Sequence, residues 1–152
     1  MALERVSREL TLDAPIERVF ALISSPERTP EWLVGVRSVR VLTSGSIRVG
    51  SETVSQVEAL GRVWEARGRC SLLEPPSRIV IESTLGPGFK SRSDSRLEAI
   101  SESRTRLRAE LAFHQPGGPL GMLISAFGAR ERIDHDFEAS LRRLQQIVEL
   151  GD

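Results

Sequence analysis

FKSRSDSRLEAI (residues 89–100) and RTRLRAELAFHQ (104–115) alternate in near-perfect period two, and GGPLGMLISAFGARERIDHDFEASLRRLQQIVEL (117–150) then changes to the period of a helix. A strand sends successive side chains to opposite faces, whereas a helix returns to one face about every 3.6 residues. In the first stretch Phe89, Ser91, Ser93, Ser95, Leu97 and Ala99 oppose Lys90, Arg92, Asp94, Arg96 and Glu98. In the second, Thr105, Leu107, Ala109, Leu111 and Phe113 oppose Arg104, Arg106, Arg108 and Glu110. One sheet face is therefore charged and solvated, and the other is covered. The helix carries Leu120, Leu123, Phe127, Phe137, Leu141, Leu144 and Val148 at threes and fours. If continuous after Gly117-Gly118-Pro119, about 30 residues make a rod of roughly 45 Å, enough to cross the whole sheet.

Upstream, residues 62–74 alternate too: Trp64, Ala66, Gly68, Cys70 and Leu72 face one way, Glu65, Arg67, Arg69 and Ser71 the other. Further strands are expected over 3–13, 36–43, 51–60 and 78–85. The turns Ser44-Gly45-Ser46, Leu60-Gly61, Pro75-Pro76-Ser77, Gly86-Pro87-Gly88 and Ser101-Glu102-Ser103 are short enough to favour an antiparallel meander. Val6, Leu10 and Leu12 share one side of the first strand. Asp13-Ala14-Pro15 then opens a short helix that buries Ile16, Val19, Phe20 and Ile23, with Pro15 at its first position and Asp13 serving free donors. Ser24 and Glu27 have capping-box spacing for a second helical turn that ends at Trp32 and Leu33, where Gly35 releases the chain.

At 152 residues, with 39% hydrophobic and 28% charged side chains, the whole chain is expected to be one globular domain, residues 1–152. Lys+Arg and Asp+Glu balance at 21 each, so no net field draws the chain to nucleic acid or an anionic membrane. Lys90 is the only lysine, a bias toward arginine that suits ion pairs on strands. A single cysteine, Cys70, excludes an internal disulfide and most zinc sites. No apolar run approaches the roughly 18 residues of a membrane span, and the N-terminus lacks an apolar signal core. A cytoplasmic protein without stable membrane insertion is expected, as a monomer or homodimer.

The covered face is not uniformly apolar. Ser91, Ser93 and Ser95 occupy consecutive inward positions, and Ala66, Gly68 and Ala109 are small, where a core at native density wants bulk. Either space remains between sheet and helix, or the helix sits close and fills it, or the serines lie on an edge strand. Arg130 and Asp134 fall near the centre of the helix's apolar stripe, one turn apart. They either pair with each other, stay exposed where the helix overhangs the sheet, or bring polar groups into that space.

Several stretches carry a resemblance. Ala14 to Ile23 with Ser25-Pro26-Glu27 and Pro30-Glu31-Trp32 looks like a strand–helix–helix opening, and Val36-Arg37-Ser38-Val39 like the strand after it. Val63-Trp64-Glu65 and Leu73 to Ile79 look like a central hairpin. Gly118-Pro119-Leu120-Gly121 leading to Phe137 through Leu144 looks like a closing helix. Together they resemble the START-like helix-grip superfamily, in its polyketide cyclase/dehydrase branch. The resemblance implies an α+β fold in which a seven-stranded curved antiparallel sheet wraps a long C-terminal helix, with two short helices after the first strand. It also implies an elongated, largely apolar pocket for a lipid, sterol, polyketide or hormone. Many members catalyse nothing.

Catalytic chemistry has a thin set of groups here. His114 lies on the outward parity of its strand and His135 off the helix stripe, and neither is spaced for a metal. Cys70 faces inward without an evident base. No phosphate loop and no tyrosine is present, and no metal or cofactor is expected. The expected function is binding of a small hydrophobic ligand between sheet and helix by Trp64, Ser91, Ser93, Ser95, Leu107, Leu111, Leu123, Phe127, Arg130 and Asp134. The alternatives are a cyclase/dehydrase-like enzyme using Asp134 as base and Arg130 as donor, and a non-catalytic interaction module.

Overall fold

A computed structural model describes residues 3–59, 61–86, 88–114, 117–118 and 128–150. The strands are β1 (Leu3–Leu12), β2 (Val36–Val41), β3 (Glu52–Ala59), β4 (Arg62–Glu74), β5 (Arg78–Leu85), β6 (Phe89–Ser101) and β7 (Arg104–His114). All neighbours are antiparallel, in the order β1-β7-β6-β5-β4-β3-β2 of one curved sheet. Between β1 and β2 lie helix α1 (Ile16–Ile23), a 3-10 turn (Pro26–Arg28) and the single-turn helix α2 (Thr29–Trp32). Helix α3 (Ala129–Glu149) closes the chain. This is the helix-grip arrangement expected of the resemblance.

The concave face grades from closed to open along the strands. Cross-strand rows Leu97·Leu107·Leu10 and Thr105·Leu12 are packed beneath Leu141, Leu144 and Val148 of α3 and Val19, Phe20 and Leu22 of α1. Thr105 closes this end by donating to the Ala14 carbonyl at 2.8 Å. Toward the other end the middle of each row is half-buried: first Ile81·Ser93·Leu111, between the buried Cys70 and Val6, then Ser83·Ser91, beside the buried Phe113. Burial of large apolar side chains contributes roughly 1.5–3 kcal/mol each, so the closed end holds the helix.

Several local expectations are corrected. The register of β4 on β5 slips between Cys70 and Leu72, so Leu72 pairs with Val80 on the outer face and Leu73 joins the core instead. A bulge adds one residue to a strand and inverts the parity beyond it. Ala99, of inward parity, is exposed where β6 ends on its own irregularity beside Ser101. The capping box does not form: Ser24 Oγ donates to the Phe20 carbonyl, and Ser25, at the start of the 3-10 turn, donates its Oγ back to the Ala21 carbonyl instead of capping. Pro15 stands one position before α1, and Asp13 accepts Arg104 rather than serving the helix start. The described part of the last helix begins at Ala129, and residues 119–127 lie outside the described residues.

The outer face is charged, as the alternation requires, yet not wholly solvated. Val80 is fully buried there, and Asp94 is buried beside it in the next strand. Arg78 grips Asp94 with two bonds of 3.1 and 2.8 Å, and Arg96 adds one of 3.4 Å.

Candidate functional site

The half-open end of the concave face carries hydroxyls on neighbouring strands. Thr53 of β3 faces Gly68 of β4, Gly68 faces Ser83 of β5, and Ser83 faces Ser91 of β6. Ser93 and Ser95 follow along β6. Among the described residues, none of these five hydroxyls has a hydrogen-bond partner, and none is sealed from solvent. An unmade bond on a hydroxyl enclosed in protein is costly, so groups left this way mark a surface meant to meet water or a guest.

Gly68 sharpens the picture. A Cβ placed on it would lie 2.8 Å from Thr53 Oγ1, 3.5 Å from Ser83 Oγ and 3.7 Å from Ile81 Cγ2. The two hydroxyls lean over the same bare stretch of backbone. Sequence reasoning singled out the serines of β6 because they share one strand. It missed Thr53 and Ser83, whose membership of the row needs the register of β3, β4 and β5.

Trp64 stands beyond this row on β4, opposite Val57, and donates Nε1–H to the Ala59 carbonyl at 2.9 Å. Arg62 lies over its ring at 5.2 Å from the centroid. The turn after β5 packs against the same ring: a Cβ at Gly86, whose φ is +55°, would come within 2.8 Å of it. Phe89 and Phe113 stack with centroids 5.8 Å apart at this end. Leu111 is half-buried between Ser93 and Val6, whereas Leu107 sits in the packed core at the closed end. Leu123 and Phe127 lie outside the described residues.

Arg130 and Asp134 do not pair with each other. Asp134 accepts from Arg8 Nη2 at 2.8 Å, and Arg130 reaches Glu4 at 3.2 Å. Glu4 and Arg8 share the inward parity of Val6 and Leu10 on the edge strand β1, so the start of α3 is clasped to that edge. Both pairs are half-exposed, a setting in which an ion pair is worth up to about 1 kcal/mol.

The remaining reactive groups are quiet. Burial pushes the Cys70 thiol up, away from the thiolate a nucleophile needs. His135 is exposed on α3, and Nδ1 of His114 is buried with no hydrogen-bond partner among the described residues. Among the described residues no cluster of three or more His, Cys, Asp or Glu side chains suits a metal ion, and no helix is long and apolar enough to cross a membrane. A hollow of about 550 Å³ opens on the outer face beside Glu9, Asp94, Arg96, Arg108 and Glu110. Its acids are already paired with arginines of the same face.

The fold recurs in solved structures. An aromatase/cyclase from Streptomyces sp. R1128 superposes with a TM-score of 0.79 at 18% identity, covering 97% of this chain and 94% of that one. A START superfamily protein from Mycobacterium smegmatis gives 0.70 at 17% identity over 96% and 97%. A protein from Thermus thermophilus gives 0.73 at 19% identity over 95% and 97%. In sequence, an uncharacterised protein of Mycobacterium tuberculosis is 26% identical over 115 residues, 74% of this chain. The chain's match spans about half, 49%, of that relative's length. A family model described as polyketide cyclase / dehydrase and lipid transport matches residues 4–149, so the chain belongs to that family and has its START-like helix-grip fold.

Proposed function

We propose that the domain, residues 1–152, binds one small amphipathic molecule between the half-open end of the sheet and the first half of α3. The observation that carries this reading is the gradient on the concave face: a closed apolar end, then hydroxyls that have no hydrogen-bond partner among the described residues. Apolar contact with Ile81, Leu111, Phe89 and Trp64 supplies roughly 25 cal/mol per Å² buried, and the few hydroxyls orient the guest. The family description, which names lipid transport as well as cyclase/dehydrase chemistry, agrees with such a pocket. The setting is cytoplasmic and the binding unit a monomer or homodimer, in keeping with the lone, reduced Cys70.

A polyketide cyclase/dehydrase-like enzyme is the second reading, favoured by the inward Asp134 held by Arg8 on β1. It requires that a bound substrate reach the Asp134 carboxylate, which Arg8 holds through Oδ1, so that Asp134 takes a proton from the substrate. Native mass spectrometry of protein purified from its own host tests the first reading, alongside enhancement of phenylnaphthylamine fluorescence. A co-purified small molecule and displaceable dye are expected. Protein free of any guest that also leaves the dye dark removes the reading. Turnover of a released aromatic precursor that Asp134→Asn abolishes replaces binding with catalysis.

A further inference from the structure

Gly68 lies in the middle of β4 with an ordinary strand backbone, so the chain's path does not call for glycine there. Glycine inside a strand weakens it and marks a place where something approaches the backbone closely. What approaches from the protein side is a pair of hydroxyls: Thr53 Oγ1 and Ser83 Oγ converge over the missing side chain, 2.8 and 3.5 Å from where its Cβ would stand. Among the described residues neither has a hydrogen-bond partner, and both side chains are half-buried rather than sealed. Ser91 continues the row on β6, about 5 Å beyond Ser83 at ordinary strand spacing. The next position is the buried Phe113, and only past it, on β1, comes a charge, Glu4.

We propose that Thr53 and Ser83 hold a neutral oxygen of the ligand, hydroxyl or carbonyl, over the bare face of Gly68, while Ser91 takes a second oxygen one strand away. This deepens the binding reading above and rests on it. A hydroxyl both donates and accepts, so the row suits carbonyls and hydroxyls alike. A carboxylate or phosphate finds no cation in the row, and burying an anion without one is strongly unfavourable. A plain hydrocarbon leaves three hydroxyls without partners when it expels their water. The ligand class is therefore a compact neutral skeleton that is oxygenated along one edge and bare along the other, which faces Ile81 and the Phe89–Phe113 stack.

Displacement of phenylnaphthylamine by naphthalene, a naphthalenediol and octanoate tests this. The wild-type protein is expected to favour the diol over naphthalene by about tenfold or more, the effect of one or two net hydrogen bonds, and to take octanoate no better than naphthalene. Thr53→Val keeps the β-branched shape and Ser83→Ala removes one oxygen; each is expected to lower the diol-to-naphthalene ratio about three- to tenfold with an unchanged melting temperature. Equal affinity for diol and naphthalene, a ratio untouched by both variants, or a preference for octanoate each overturns the assignment. The first of these outcomes means that water alone occupies the place over Gly68. Dye that never binds, or that none of the three displaces, removes the binding reading itself and this inference with it.

Discussion

From Leu141 to Val148, α3 is held by buried apolar side chains; from Arg130 to Asp134 it is held by two half-exposed ion pairs. The later half has further ties. Ser140 Oγ accepts from the Val34 amide at 2.9 Å, Arg18 donates to the Val148 carbonyl at 3.0 Å, and Glu149 accepts from the Asp13 amide at 2.9 Å. Dry apolar contact is insensitive to ionic strength and has no substitute once broken, while a wet ion pair re-forms with water at small cost. One helix is thus a fixed anchor at one end and an adjustable clasp at the other. The unpaired hydroxyls of the sheet lie toward the adjustable end, where a guest can enter without unpacking the core.

Breaking the anchor gives the largest effect. Leu144 is 0% exposed within the core, and Leu144→Ala is expected to cost about 3 kcal/mol, read as a lowered midpoint of urea unfolding. A cost under about 1 kcal/mol means that the surrounding side chains collapse into the hole and that the closed end is not closed. Ser91→Leu supplies the opposite arm. It adds bulk where the face is open, so stability stays within about 1 kcal/mol of wild type while phenylnaphthylamine binding is lost. Retained dye binding in that variant places the guest elsewhere.

The outer face extends the contrast, because there a charge is buried rather than wetted. The side chain of Asp94 is 7% exposed, and Asp94→Asn, which loses the charge that three arginines share, is expected to destabilise by about 2 kcal/mol near neutral pH. Arg78, above all, holds the folded carboxyl below its ordinary value of 3.8, with Arg96 adding to the effect. The unfolded carboxyl takes up its proton first as pH falls, so the stabilisation is complete above about pH 5 and shrinks as the solution passes below 3.8 toward the lower folded value. The gap between wild type and variant should close in that window. A gap that widens on acidification reverses the sign and rejects the account.

Much of this was legible before any coordinates. Period two in 89–115 gave both faces of most of β6 and β7, since Lys90 to Glu98 and Arg104 to Glu110 place a charge at every second residue. The bulge in β4 was not legible, because Cys70-Ser71-Leu72-Leu73 alternates equally well with Leu72 or Leu73 inside, and the choice is made by pairing with β5. Asp94 reads as one more solvated charge in Arg92-Ser93-Asp94-Ser95-Arg96; its burial comes from Arg78 on the neighbouring strand and from the apolar Val80 beside it. The partners of Arg130 and Asp134 were half legible. Glu4 and Arg8 have the parity of the inward Val6 and Leu10, and their charges complement the two on the helix, but nothing local joins residue 8 to residue 134.

The clasp is where the smallest effect is expected, and where the comparison between the two ends of α3 is sharpest. Arg8→Glu sets like charges against Asp134, and Asp134→Arg sets like charges against Arg8; each alone is expected to cost about 0.5–1 kcal/mol at low salt, as half-exposed pairs do. The double reversal restores an attractive pair in the opposite sense and should recover most of that loss, though Arg8 also donates to the Ser7 carbonyl and Arg130–Glu4 still acts. At 1 M salt, where screening acts over about 3 Å, the differences among the four proteins should fade, whereas the cost of Leu144→Ala should persist. A double reversal no better than the single ones at low salt means that Asp134 and Arg8 merely lie near each other. The start of α3 is then fixed by something other than charge, and the distinction between anchor and clasp fails.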